Sequence, residues 1–285
     1  MTAGPVTVQG SARRNAAPEA RVLAGLAQVD PADWDRLVPI RAGGLRHAFL
    51  RAWERAELDG RVARPIVVPD QRGEGLGAAA AGYHYDLDLA TVSVPILPGA
   101  SGSIRRLWPR FMKGRVYELG APAARHDPLL VAPGMSVSDA AQSIVTAAVR
   151  EAREAGSPMI VVQDFVPDRG PFAAALQQNG FGRVVTLPSF VVEVRHERFD
   201  DYLDAMRSKY RNRARRVFRD SRHLSAELID DFAPLADELA ELWRLVYERA
   251  DETKREVMGA EFFRAAAVLC DMRALVLRRA DGSIA

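Results

Sequence analysis

Two stretches of this chain run through the same order of elements. Residues 21–85 read as strand, helix, helix and hairpin, and residues 224–285 read so again. In the first stretch, 21–29 is a strand. Asp30 and Pro31 then open a helix, with Asp30 as N-cap and Pro31 at the first helical position. Trp34, Leu37 and Val38 give that helix an apolar face, and a second helix over 45–58 turns Phe49, Leu50 and Trp53 inward. The hairpin has strands 62–68 and 76–85 around a turn at 70–75. In the second stretch, strand 224–229 leads to helices 233–249 and 261–269. Strand 273–279 follows, then a turn at Asp281 and Gly282 and a return over 283–285. Alternation of this kind predicts an α/β (α+β) fold, and its recurrence predicts two related domains.

The segment between the copies supplies more of the first domain. Strand 115–119 precedes a loop over 120–134. Ser136 and Asp139 then cap a helix carrying Ile144, Val145, Ala148, Val149 and Ala152, which Gly156 closes. A buried strand over 159–165, a short helix from Gly170 to Gly180 and one or two strands in 182–194 complete it. A long helix over 199–222 leads into the second copy. Residues 1–20 read as a disordered leader, 21–196 as the first domain, and 197–285 as the connecting basic helix with the start of a second. Because the returning strand has three residues, the second domain is expected to be incomplete within this sequence, as in a fragment or a protein ended early. The alternative is that these strands complete the first domain's sheet.

Composition excludes several classes. At 285 residues, 48% apolar and 27% charged, the chain buries a core and is neither disordered throughout nor a collagen nor a disulfide mini-protein. No run approaches the roughly 18 apolar residues of a membrane span. Its N-terminus lacks the regions of a secretory signal, so a cytoplasmic location is expected. Net charge is +2, yet 36 of the 39 basic residues are arginine. The single cysteine, Cys270, reads as a core thiol among Phe262, Phe263, Ala266 and Leu269. No Cys/His spacing suggests a metal site and no Gly-x-Ser-x-Gly elbow is present.

The strongest charge cluster is 207–222, with eight basic residues and one acid. At 100° per residue, Phe199, Leu203, Met206, Tyr210, Ala214 and Val217 form a stripe expected to be buried, with Arg211, Arg215, Arg219 and Arg222 opposite and Lys209 and Arg213 on the flanks. Lys209, Arg211, Arg215 and Arg219 are candidates for binding phosphate, carboxylate or a tRNA backbone. The plainer reading is a solvated helix face. On the strand over 76–85, Tyr83 and Tyr85 share one face and are candidates for lining an acceptor cleft, with His84 and Asp86 on the other; a sheet-rim cluster without chemistry is the alternative.

The order of elements in the first domain resembles that of the GNAT (Gcn5-related) acyltransferase fold, a mixed sheet flanked by helices. Two such halves joined by a basic helix resemble the double-GNAT, FemAB-like N-acyltransferases. The carrying residues are Leu187-Pro188-Ser189-Phe190, Phe199-Asp200-Asp201-Tyr202-Leu203 and Ser208-Lys209-Tyr210-Arg211-Asn212-Arg213, with Leu239, Trp243, Tyr247 and Glu261-Phe262-Phe263 behind them. The resemblance implies transfer of an acyl group from acyl-CoA to an amine, or Fem-like transfer from aminoacyl-tRNA to a peptidoglycan precursor or peptide. In either case the donor is a co-substrate, and no permanently bound cofactor is implied. It also implies that Glu118 and Asp164 lie on two strands that splay around a substrate cleft, where either would serve as general base. One departure stands out. The family's pyrophosphate turn corresponds here to 132–138, which has a single glycine and, in Pro133, a residue without an N–H donor. A non-catalytic GNAT-like binding module is therefore a third reading.

Overall fold

The computed structural model describes residues 19–70, 75–88, 113–121, 126–163, 170–184, 192–250 and 256–285. The chain divides after Gly180 into two compact units.

Unit 1 opens with β1 (Arg21–Val22) and two helices, α1 (Pro31–Asp35) and α2 (His47–Ala56). Asp30 caps α1 as its sequence predicts: one carboxylate oxygen accepts from Ala32 N at 2.9 Å and Asp33 N at 3.1 Å. Both helices are pinned by buried polar contacts. Trp34 Nε1 donates to Leu45 O at 2.8 Å, and the His47 ring bonds Leu26 O at 2.9 Å. The expected hairpin is broken in two. Its strands are β2 (Val62–Ala63) and β3 (Ile66–Pro69) on one limb, and β4 (Leu76–Ala80) and β5 (Gly82–Asp88) on the other. β6 (Lys113–Leu119) and the short β7 (Leu130–Val131) follow. The remaining elements are α3 (Val137–Glu154), β8 (Met159–Val162) and α4 (Gly170–Gln178).

These strands form two four-stranded sheets, ordered β1-β3-β4-β7 and β2-β5-β6-β8. All pairs are antiparallel except β6 with β8, which are parallel. Pro65, which cannot donate to a ladder, marks the break on one limb. On the other limb the break falls at Gly82, opposite Arg64, and a Cβ there would come within 2.6 Å of Arg64 O and nearer still to Tyr117 Oη. Arg64 N donates to Gly82 O at 2.7 Å across the break. The mixed α/β class is thus the one expected. The order strand, two helices, hairpin, strand, helix, strand, helix is also the one expected, except that the hairpin is split and β7 forms within the stretch expected to be a loop, where it pairs with β4. The core packs Trp34, Leu37 and Leu50 against Val67, Ala79, Ala81 and Tyr83. On α3, Ser136 caps Asp139 N at 3.3 Å, and Ile144, Val145, Ala148 and Ala152 are buried.

Unit 2 departs further from expectation. The long helix over 199–222 is two helices, α5 (Phe199–Ala205) and α6 (Ser208–Asp220), because Met206 takes an extended backbone between them. The stripe expected to be buried is covered only at Leu203: Tyr210 is 55% and Val217 57% exposed, and no residue of α6 is buried. A 100° apolar spacing makes a stripe but does not supply the surface that covers it. β9 (Ser225–Ile229) pairs antiparallel with β10 (Ala274–Arg278) as a separate two-stranded sheet, and the return after Gly282 makes one bridge, Arg278 to Ile284. Between them lie α7 (Ala236–Arg249) and α8 (Ala260–Leu269). The described parts of 182–194, namely 182–184 and 192–194, are not strand.

Candidate functional site

The sheet β2-β5-β6-β8 sorts its polar residues onto two faces. Register sets this. Tyr83 lies opposite Glu118 and Tyr85 opposite Val116, while His84 lies opposite Tyr117 and Asp86 opposite Arg115. Cross-strand partners share a face, so Tyr83, Tyr85 and Glu118 stand together on one side and His84 and Tyr117 on the other. Glu118 and the two tyrosines, reached in the sequence by separate arguments, therefore meet in one place. Asp164 lies outside the described residues.

Arg61 completes the first face. It precedes β2 and, two residues before Ala63, projects to the same side as Tyr83. Its Nη1 donates to Glu118 Oε2 at 3.0 Å, and its guanidinium lies 4.0 Å over the centre of the Tyr85 ring. The Glu118 carboxylate also acts on the Tyr85 hydroxyl, whose pKa it helps to raise. The ion pair is almost fully withdrawn from solvent, with side-chain exposure 10% for Arg61 and 1% for Glu118. Tyr83 is buried beside it, and among the described residues its hydroxyl has no hydrogen-bond partner. Burial pushes the Tyr83 phenol up from its ordinary pKa, and the Glu54 and Glu118 carboxylates push the same way against Arg61. Tyr85 is raised by burial and by Glu118. Both phenols are thus neutral donor–acceptors at physiological pH. Glu54, on α2, pairs with Arg51 and accepts from Leu26 N at 3.2 Å.

The opposite face holds a second buried network. His84 Nδ1 is 2.9 Å from Ser157 Oγ, and Nε2 is 3.1 Å from Glu151 Oε1, which Arg64 Nε approaches at 3.4 Å. The His84 ring lies 4.7 Å from that of Tyr117, whose hydroxyl donates to Arg64 O at 2.7 Å. Burial lowers the His84 pKa below its ordinary value, and Glu151 opposes that only in part. A neutral ring that donates from Nε2 to Glu151 and accepts from Ser157 satisfies every partner. Serine, histidine and carboxylate in line suggest a nucleophile, but the backbone around Ser157 offers no oxyanion donor. Ser157 N is bonded to Ala152 O and Gly156 N to Arg153 O, and residue 158 is proline. The network anchors the end of α3 to the sheet. At the edge of the sheet Gly60, Val62, His84, Tyr85, Asp86 and Arg115, drawn from both faces, line an open cleft of about 280 Å³.

Two features of unit 1 differ from an acyl-CoA site of the expected kind. β6 and β8 do not splay at Glu118: they pair from Val116/Met159 to Leu119/Val162, and Gln163 N then donates to Leu119 O at 3.0 Å. The turn at 132–135 closes on itself through Met135 N to Ala132 O at 3.2 Å, and Pro133 has no N–H, so few donors remain for a pyrophosphate.

The candidate phosphate ligands of unit 2 do not converge. Arg211 Nη1 donates to Asp204 O at 2.9 Å and Met206 O at 3.4 Å, closing the corner between α5 and α6, and Arg215 Nη2 pairs with Asp204 Oδ1 at 3.1 Å. Arg219 approaches the neighbouring Asp220 at 3.6 Å, and Lys209 is exposed. Cys270 is half-buried at the end of α8 rather than in the core, and burial pushes its thiol up to about 11, which suppresses the thiolate. Among the described residues no group of His, Cys, Asp or Glu is arranged to hold a metal, and no helix is long and apolar enough to cross a membrane.

Sequence reasoning named Glu118, Tyr83 and Tyr85 and set His84 on the opposite face, but missed Arg61 and also Glu151 and Ser157, the partners of His84. Arg61 has no local signal; its partner lies 57 residues away.

No family model matches the chain. Two strains of Mycobacterium tuberculosis carry a protein described as "Putative 8-amino-7-oxononanoate synthase 2", which is 25% identical over 225 residues, 78% of this chain. The chain spans 29% of the length of those relatives. Among solved structures, a "probable acetyltransferase" is 14% identical with a TM-score of 0.31, over 53% of this chain and 78% of its own. A Bacillus halodurans protein is 14% identical with a TM-score of 0.38, over 61% and 99%. A Thermus thermophilus protein is 17% identical with a TM-score of 0.33, over 61% and 99%. Scores of this size carry no weight for function.

Proposed function

We propose that this protein is a GNAT-type N-acyltransferase of the FemAB-like kind, with its amine acceptor bound on the Tyr83–Tyr85–Glu118 face of unit 1. The observation that carries the reading is the convergence of Glu118 with two neutral phenols on the strand where the resemblance calls for a general base. In the reaction, the Glu118 carboxylate takes a proton from the acceptor ammonium. The neutral amine attacks the acyl carbonyl, and the intermediate collapses with loss of the thiol or tRNA hydroxyl. Tyr83 and Tyr85 hold the amine through hydroxyl oxygen and ring face. Acyl-CoA is the proposed donor and aminoacyl-tRNA the alternative; neither is assigned a binding site among the described residues.

A second reading, a non-catalytic module of the same fold, is favoured by the unbroken β6–β8 pairing. One experiment separates them. The protein is incubated with acetyl-CoA, longer acyl-CoAs or charged tRNA and a panel of primary amines, and transfer is followed by mass spectrometry. Transfer that falls about 100-fold in Glu118→Gln supports the enzyme. No transfer from any donor, or full activity in Glu118→Gln, overturns it.

A further inference from the structure

The face that would receive an amine already holds a cation. The Arg61 guanidinium lies against the Tyr85 ring and is hydrogen-bonded to Glu118, while the neighbouring Tyr83 hydroxyl is buried and finds no hydrogen-bond partner among the described residues. The arrangement is weak as a structural ion pair. Withdrawing both charges from water costs about as much as their attraction returns, and an unmet phenol adds a further penalty. It makes better sense as a binding site. A primary ammonium has three N–H donors, and this face offers three complementary features: the Glu118 carboxylate, the Tyr83 oxygen and the Tyr85 ring.

We propose that Glu118, Tyr83 and Tyr85 form a site for an alkylammonium or alkylguanidinium group, and that Arg61 occupies it as an internal stand-in for the ligand, so that entry of a ligand requires Arg61 to leave. This rests on the acceptor site proposed above and adds its charge class and its closed state. The attachment of Arg61 suits such a role. It enters the sheet through a tight turn with two left-handed positions, Glu57 at φ 46° and Gly60 at φ 66°. It then meets a two-residue edge strand that, among the described residues, pairs with β5 alone. An arginine there is replaced by moving one short segment, with β5 and β6 undisturbed.

The test is equilibrium binding without any acyl donor, so its outcome is independent of catalysis. Arg61→Ala is titrated with ethylguanidinium and n-butylammonium, with n-butanol as the neutral control, and followed by thermal melting and tyrosine fluorescence. Saturable stabilisation of several degrees by the cations alone, weaker by at least tenfold in affinity for the wild type and lost in Arg61→Ala/Glu118→Gln, is the expected result. A folded Arg61→Ala that binds neither cation, or binds as the wild type does, overturns the proposal. If Arg61→Ala does not fold, Arg61→Met, whose unbranched side chain still covers Tyr85, takes its place, and refolding of Arg61→Ala is assayed with and without ethylguanidinium. Binding to the Met variant or refolding promoted by the cation supports the proposal. The absence of both overturns it. Cation binding without acyl transfer in the earlier assay would leave this site standing and remove only the catalytic reading.

Discussion

A double-substitution cycle on Arg61 and Glu118 tests whether their pair is as dry as its geometry states. Glu118 is 1% exposed, so Arg61→Met leaves a buried carboxylate without its counter-charge. Removing one partner of such a pair costs about 3–5 kcal/mol. In a domain of 150–250 residues each kcal/mol moves the melting midpoint by about 2–4 °C, so a fall of about 6–20 °C is expected. Glu118→Gln strands the guanidinium instead and carries a cost of similar size. Arg61→Met/Glu118→Gln removes both charges and keeps side chains of similar size, so it lies within about 1–2 kcal/mol of the wild type. The implied coupling is at least about 3 kcal/mol. Urea unfolding followed by tryptophan fluorescence reads unit 1 in a Trp243→Phe background, since Trp34 and Trp53 are buried in unit 1 and Trp243 lies on α7 of unit 2. Single variants costing under about 1 kcal/mol, or a double variant equal to the sum of the singles, would refute the reasoning: water would be reaching the pair.

Other perturbations have clear signs. The fold holds the His84 pKa below its ordinary 6.5, so the unfolded chain takes up the proton first as pH falls; this contribution is complete above about pH 6.5 and is lost below it. Glu151, Arg64, Arg115 and Tyr117 face the ring, and His84→Gln should flatten the slope of stability against pH below about 6.5 in urea titrations. Gly82→Ala sets a methyl within 2.6 Å of Arg64 O and against Tyr117 Oη, which costs about 1–3 kcal/mol or more and should separate the two halves of the hairpin in amide-exchange maps. Asp30→Ala removes the cap of α1 at a cost of about 1 kcal/mol by urea unfolding. In unit 2, Lys209→Ala and Arg219→Ala leave far-ultraviolet dichroism unchanged, while Arg211→Ala, which uncouples α6 from the end of α5, lowers the helical signal. If instead all three lower the salt slope of tRNA binding equally, the arginines act on a polyanion and not on the corner.

What the sequence showed and what it hid follow a physical line. Features written within a few residues were legible: the Asp30 and Ser136 caps, the glycines that end α3 and α4, and the alternation that put Tyr83 and Tyr85 on one face. The split at Pro65 carried its warning in the missing donor. Features set by pairing were not legible. Nothing near Arg61 announces Glu118, and nothing near Ser157 announces His84, 73 residues earlier. Periodicity also overreached in α6. Tyr210, Ala214 and Val217 repeat at helical spacing, but a stripe is buried only if another surface meets it, and that second surface is not part of the pattern.

The shortness of β2 governs more than the outline of the sheet. Its two residues hang on a small number of backbone bonds at an edge, whereas β5 and β6 pair over seven positions in the interior. Opening free energies in a native protein are graded in this way, and a short edge is released at a fraction of the global cost. The lining of the candidate site therefore divides into a durable wall, made of Tyr83, Tyr85 and Glu118, and a detachable one that carries Arg61. By that grading, opening of β2 is expected to uncover the carboxylate while the sheet behind it stays whole. Amide protection is expected to record this as a step between Ala63 and Tyr83, two residues that face each other across a single register.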